Sequence, residues 1–149
     1  MRISIFAFLL LAAIVGLSLA SPAANAATPV DCLHPIGAWQ NEFASTFEIE
    51  SVDAETGALR GRYGLAALPN IWFPVVGWLN SGGGQKHTVA SVFSFSASFG
   101  AAGSITSWTG TCNDRAGKPT LSTLLQMARP SSPNPCDHIA SSAETFTPK

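Results

Sequence analysis

The chain has 149 residues, of which 11% are charged, and its formal net charge is −1. This composition excludes a basic field for nucleic acid and an acidic solvated tail. The length suits one ordinary domain with a single core, so we expect one module.

The N-terminus has the composition of a secretory signal. A short basic start and a long apolar run, interrupted by Gly16, lead to a small-residue cleavage pattern at Ala24 and Ala26. We predict that residues 1–26 are a signal peptide and that residues 27–149 form a secreted mature domain. The alternative is a signal anchor. No later segment reaches the roughly 20 apolar residues of a membrane helix, so the mature chain is expected to be soluble.

Three cysteines, Cys32, Cys112 and Cys136, lie in the exported part of the chain. Export to an oxidising compartment favours pairing, and the residues alone leave all three pairings open. Their spacing contains no Cys-x-x-Cys knuckle, which favours a structural disulfide over a metal site. We therefore predict no metal site.

The mature sequence repeats short apolar stretches about every ten residues, separated by turn-forming residues. This pattern is typical of an all-β barrel or sandwich. The strands predicted in chain order span residues 46–52, 58–66, 74–79, 92–99, 104–112, 120–128 and 143–147. Prolines on both sides of residues 121–127 disfavour a helix there, and the proline-rich stretch 130–136 is predicted to be the loop between the last two strands.

The clearest alternation lies in residues 92–99. Four apolar side chains share one face of this strand and serines share the other. The apolar face consists of Phe93, Phe95, Ala97 and Phe99.

Several motifs occur in an order that resembles the avidin and streptavidin family. The first has glycine, tryptophan and asparagine at alternate positions and a serine four residues further on. The motifs are Gly37-Ala38-Trp39-Gln40-Asn41 with Ser45, Thr56-Gly57-Ala58-Leu59-Arg60-Gly61-Arg62-Tyr63, Phe73 to Asn80, Ser104 to Cys112, Asp114 to Lys118 and Thr145-Phe146-Thr147. The resemblance implies an eight-stranded antiparallel up-and-down β-barrel with an interior wide enough for one small ligand.

The same resemblance carries two further expectations. It implies a disulfide between Cys32 and Cys112, which leaves Cys136 free or paired between chains. It also implies a protein that binds biotin non-covalently rather than an enzyme, with biotin as a ligand and no cofactor.

The family resemblance assigns polar roles to residues in matching positions. Asn41, Ser45 and Tyr63 would donate to the ureido oxygen of biotin. Each of them alone is more readily explained as an ordinary turn, strand or core residue, and only their joint spacing favours a site. Leu65 stands where the family usually has a hydroxyl acceptor, so one hydrogen bond is missing. The remaining polar positions are Glu144 as acceptor of the other ureido N–H, Thr106 against the ring sulfur and Ser104 on the carboxylate tail.

The apolar walls match the family less well than the polar positions do. They would be Trp108, Phe99, Leu125 and Met127, with two expected tryptophans replaced. Trp39 is expected in the core at the barrel base, and Trp72 is a candidate lid over the ligand. The tryptophan that a neighbouring subunit usually lends to the site is not recognisable near Cys136. We therefore expect reduced affinity for biotin and a homo-oligomer that is a dimer rather than a tetramer.

Three other functions remain open on the sequence alone. One is a barrel that has lost biotin and holds another small ligand, and another is a structural β domain without an occluded cavity. The third is a secreted hydrolase using His34, His87, His138 or Cys136, which is disfavoured because no Gly-x-Ser-x-Gly, Walker or His-Glu-x-x-His motif occurs.

Overall fold

The structure is a computed structural model that describes residues 29–80, 90–133 and 137–149. Eight strands follow one another along the chain: β1 (Gly37–Asn41), β2 (Thr46–Val52), β3 (Ala58–Gly64), β4 (Trp72–Asn80), β5 (Ser91–Ser98), β6 (Ile105–Arg115), β7 (Lys118–Ala128) and β8 (Ile139–Pro148). Each strand pairs antiparallel with the next, and β1 also pairs with β8. The sheet is therefore closed without a free edge, and the predicted eight-stranded up-and-down barrel is confirmed.

The strand bounds differ modestly from the predicted ones. β3 ends at Gly64, which leaves Leu65 in the following loop, and β4 begins two residues early at Trp72. β8 begins four residues early at Ile139, because its backbone there pairs with Ala128 at the end of β7. Residues 121–127 lie in β7, so the preference for a strand over a helix is confirmed.

The core fills the barrel with the inward side chains of all eight strands. Alternate residues point inward, as strand geometry requires, so the predicted inward face of β5 is confirmed for Phe93, Phe95 and Ala97. Trp39 is fully buried and donates its indole N–H to the carbonyl of Pro35 at 2.9 Å, in keeping with its expected core position. The buried apolar residues are Trp39, Phe47, Ile49, Leu59, Tyr63, Val75, Leu79, Phe93, Phe95, Ala97, Trp108, Cys112, Leu121, Leu125 and Phe146.

The hairpin between β6 and β7 explains the Asp114 to Lys118 motif. Its two central residues, Ala116 and Gly117, have φ angles of 53° and 78°. Positive φ at both positions matches the twist of the flanking strands, which is why a glycine suits this turn.

The predicted disulfide between Cys32 and Cys112 is present, with the two Cα atoms 5.4 Å apart. It ties the segment before β1 to β6, and Ser91 adds a hydrogen bond from its hydroxyl to the Cys32 carbonyl at 3.1 Å. Cys136 and the predicted signal peptide lie outside the described residues.

The barrel has two ends that differ in their loops. Loops 42–45, 65–71 and 99–104, together with residues 129–133 and 137–138, lie at one end, which we call the mouth. The other end, called the base, carries the segment before β1 and the turn at 53–57. Within the described ranges, no helix has the length and apolar character needed to cross a membrane.

Candidate ligand-binding site

Polar side chains converge inside the barrel on its mouth side. They come from the end of β1, from the loop between β1 and β2, and from β3, β6 and β8. Each is less than a tenth exposed. This interior polar cluster consists of Asn41, Ser45, Tyr63, Thr106 and Glu144.

Glu144 lies at the centre of the cluster. Its Oε2 accepts hydrogen bonds from the Trp108 indole N–H at 3.1 Å and from the Asn41 amide at 3.2 Å. Trp108, expected only as an apolar wall, is therefore also a donor. A carboxylate has about four acceptor sites, so two bonds leave capacity for a further donor such as a ligand N–H.

Asn41 has a structural role as well as a place in the site. Its Oδ1 accepts the backbone N–H groups of Phe43 and Ser45, at 3.1 and 2.8 Å, and so shapes the turn between β1 and β2. Its amide nitrogen lies 3.5 Å from the Tyr63 hydroxyl as well as donating to Glu144. The long contact to Tyr63 is the weaker of the two and the easier one for a ligand oxygen to replace.

Tyr63 points its hydroxyl into the cluster and its ring against the aromatic core. The ring lies 4.9 Å from the Trp108 ring and 6.2 Å from the Phe99 ring, centroid to centroid. Burial raises the pKa of Tyr63 to about 12; the negative Glu144 adds to the rise, and a hydrogen bond with Ser45 opposes it. The phenol consequently keeps its proton at physiological pH and remains a hydrogen-bond donor.

Thr106 is the least satisfied member of the cluster. It is 1% exposed, and its hydroxyl has no hydrogen-bond partner within the described part of the chain. A buried polar group without a partner costs about 1–3 kcal/mol. The hydroxyl is therefore available to a polar atom of a bound molecule.

A cavity of about 230 Å³ opens above the cluster, at the mouth. Three cavity residues lie at the mouth ends of β3, β6 and β7, either in the strand or next to it. Each is two positions from a more deeply buried residue, so the cavity and the cluster share one axis. These pairs are Leu65 with Tyr63, Ser104 with Thr106 and Met127 with Leu125. The cavity is lined by Leu65, Leu68, Phe73, Phe99, Ala102, Ser104 and Met127.

The structure brings all ten predicted site residues into this one region. Five form the polar cluster, and Phe99, Ser104 and Met127 line the cavity. Trp108 and Leu125 face each other across β6 and β7 within the wall.

Three residues that line the cavity, Leu68, Phe73 and Ala102, are absent from the sequence prediction, and one suggestion proves wrong. Trp72 is the first residue of β4 and points outward, with the Arg62 guanidinium 4.5 Å from its ring centroid, so it is not a lid over the cavity. Phe73 points inward instead, and its ring lies 4.6 Å from the Phe99 ring. Extending the alternation of Val75 and Leu79 by one step would have identified it.

The two histidines in the described part of the chain lie at opposite ends of the barrel. His34 lies at the base, where its ring contacts the Asp31 carboxylate at 3.2 Å, whereas His138 lies at the mouth and contacts the Arg129 carbonyl at 3.0 Å. His87 lies outside the described residues. Across residues 29–80, 90–133 and 137–149, no group of His, Cys, Asp and Glu side chains is arranged to hold a metal ion.

Comparison with known proteins agrees with this geometry. A sequence model described as "Avidin family" matches residues 29–149. The chain belongs to the avidin family. Avidin-family members are non-enzymatic proteins that bind biotin. No curated protein matches the chain significantly.

Solved structures of other avidin-family proteins share the barrel. Xenavidin is 28% identical, with a TM-score of 0.61, and the match covers 77% of this chain and 97% of that one. The biotin binding protein from chicken is 25% identical, with a TM-score of 0.62 and coverages of 76% and 94%. Apo shwanavidin is 32% identical, with a TM-score of 0.58 and coverages of 76% and 97%.

Proposed function

We propose that the protein binds biotin non-covalently inside the barrel, without chemical change to the ligand. Asn41, Ser45 and Tyr63 would donate to the ureido oxygen, and Glu144 would accept a ureido N–H. Thr106 would meet the ring sulfur. Family membership supports a biotin-binding type of protein in general, and the residue roles are our assignment.

The observation that carries this proposal is the buried polar cluster with its unpartnered Thr106 hydroxyl. Apolar side chains would fill a barrel at a lower free-energy cost, because each buried polar group needs a hydrogen-bond partner. Five such side chains converge instead beneath an open cavity. A small molecule with its own donors and acceptors would use them.

The walls around this cluster support a lower affinity for biotin than that of the tightest-binding members of the family. Leu65 offers no acceptor, a loss of about 1–3 kcal/mol, and Phe99 and Leu125 each offer about 1–2 kcal/mol less contact than tryptophan. Added together, these deficits correspond to a dissociation constant raised about 10² to 10⁵-fold.

Calorimetry of the mature protein with biotin tests the proposal directly. Tyr63→Phe should weaken binding about tenfold or more, because it removes one donor while keeping the ring. Ser96→Ala is the matched control, since it removes a hydroxyl that bonds Ser107 outside the site. No heat with millimolar biotin, or equal affinities for Tyr63→Phe and the unaltered protein, would contradict the assignment.

A different small ligand is the second candidate, favoured by Leu65. This side chain lines the cavity directly above Tyr63 and cannot accept a hydrogen bond. A ligand with one N–H donor fewer than biotin would therefore lose less binding free energy there, because it would leave no donor unpaired. Mass spectrometry of small molecules released from the purified protein distinguishes this case. Recovery of a non-biotin molecule, together with absent biotin binding, would favour it.

Export and processing belong to the same proposal. The Cys32–Cys112 disulfide suits an oxidising compartment, and it lies in the chain after the proposed signal peptide, residues 1–26. N-terminal sequencing of the secreted protein should begin near Ala27. A protein retained with Met1 at its start would argue for an anchor instead.

We further propose that the barrel associates with a second copy. Trp78 and Leu124 are apolar and lie on the outer wall, at the two ends of a row across β4 to β7. Ser94 and Thr109 lie between them in this row. Trp78 is 64% and Leu124 68% exposed. Exposed apolar patches of this kind mark interaction surfaces.

A further inference from the structure

Glu144 lies on a stretch of β8 whose backbone is paired on one side only. The pairing of β8 with β7 covers residues 139–146, whereas its pairing with β1 covers residues 146–148. On the β1 side, the chain leaves the strand after Asn41 and turns through residues 42–45. In the described part of the chain, the strand ladder between β1 and β8 therefore ends before it reaches Glu144.

The Glu42 side chain connects the two parts of the chain just beyond the end of this ladder. Its Oε2 accepts the backbone N–H of Thr145 at 3.0 Å, and the Thr145 hydroxyl lies 3.4 Å from the same oxygen. Since Asn41 lies opposite Phe146, Glu42 is the residue that would come next in the antiparallel register, opposite Thr145. The carboxylate thus holds β8 where the backbone of β1 no longer does.

The same peptide group is also held from the side of β7. The buried Thr123 hydroxyl donates to the Glu144 carbonyl at 2.9 Å. Because the C=O and N–H of a trans peptide point to opposite sides, Thr123 and Glu42 hold the peptide between Glu144 and Thr145 from both directions. This peptide adjoins the Glu144 side chain, whose Oε2 accepts the Asn41 amide at 3.2 Å.

Glu42 belongs to the same turn as two of the proposed ligand donors, Asn41 and Ser45. We propose, building on the proposed function, that Glu42 and Thr123 are positioning residues for the ligand site. They fix the distance between the donors on this turn and the acceptor, Glu144, and they act through the backbone of β8 rather than by contact with the ligand. A ligand held from both sides loses affinity when this distance is no longer fixed.

Calorimetry of biotin binding by Glu42→Ala and Glu42→Gln tests this role. Glu42→Ala should weaken binding about tenfold, because it removes a hydrogen bond made by a charged group. Glu42→Gln should stay within about threefold of the unaltered protein, since the amide oxygen can still accept the Thr145 N–H. Glu55→Ala is the matched control: it removes an exposed glutamate from the turn at the base and should leave the affinity unchanged.

The titration of Tyr63 separates the effect of charge from that of position. Burial raises the pKa of Tyr63, and the negative charges of Glu144 and Glu42 add to the rise. Both Glu42 variants remove the same charge and should lower the Tyr63 titration midpoint alike, whereas only Glu42→Ala should weaken biotin binding. Equal losses of affinity in the two variants would assign the effect to charge and overturn the positioning role.

The carbonyl side of the peptide provides an independent test. Thr123→Val removes the hydroxyl while keeping the shape of the side chain, and it should weaken biotin binding about tenfold. Thr123→Ser keeps the hydroxyl and should bind within about threefold of the unaltered protein. If the unaltered protein binds biotin, an unchanged affinity of either Glu42→Ala or Thr123→Val would overturn this inference and leave the proposed function standing. No binding of millimolar biotin by the unaltered protein would remove both.

Discussion

Tyr63 offers a direct physical test of the site, because it is the single tyrosine in the chain. Its ordinary pKa is 10.0, and burial in the cluster raises the pKa to about 12. The tyrosinate absorbance band in the near ultraviolet therefore reports on this one side chain. We expect the folded protein to titrate about two pH units above the unfolded chain.

The unfolding free energy should depend on the ionisation of the same phenol. The folded protein holds the phenol proton more tightly than the unfolded chain does, so the contribution is fully present below pH 10 and is lost between pH 10 and about pH 12. Two units correspond to about 2–3 kcal/mol of unfolding free energy. Denaturant titrations at pH 9 and pH 12 measure this loss, and Tyr63→Phe should abolish that part of it.

Two controls make the titration decisive. Circular dichroism at each pH shows that the barrel remains folded while absorbance is read, and Tyr63→Phe supplies the blank. Saturating biotin should raise the midpoint further, since a phenol that donates to a ligand oxygen resists deprotonation. A titration midpoint near pH 10 in the folded protein would refute the claim that Tyr63 is buried with its hydroxyl in the polar cluster.

Three further outcomes are expected. Cys32→Ser should lower the unfolding free energy by about 4–5 kcal/mol in the chain-entropy model, because the Cys32–Cys112 bond closes a long loop. Chemical denaturation measures this loss, and an unchanged denaturation midpoint would contradict the prediction. Leu65→Thr with Leu125→Trp should tighten biotin binding at least about tenfold, because it restores an acceptor and an aromatic wall. Calorimetry measures the change, and an unchanged or weaker affinity would contradict the assignment of these two deficits. Light scattering should give the mass of a dimer for the unaltered protein and the mass of a monomer for Trp78→Glu. A tetrameric mass would refute the dimer, and a monomeric mass of the unaltered protein would refute association.

Much of the fold could be predicted from local patterns. The alternation of Phe93, Phe95 and Ala97 determines which face of β5 is buried, because strand side chains alternate whatever the neighbours are. Turn residues such as Ala116-Gly117 mark where the chain reverses. The polar positions of the candidate site, and the pairing of Cys32 with Cys112, followed from the order of motifs compared with a family rather than from geometry.

The tertiary structure alone decided how those positions meet. Glu144 receives the Trp108 indole, 36 residues away, and the Asn41 amide, 103 residues away, because closure of β1 onto β8 brings distant strands to one axis. No local pattern encodes such a contact. The start of β4 at Trp72 likewise depends on its pairing with β3, whereas the alternation of Val75 and Leu79 already indicates that Phe73 points inward. The apolar mouth above a polar interior arises from that same closure, since its lining comes from strands and loops far apart in the chain.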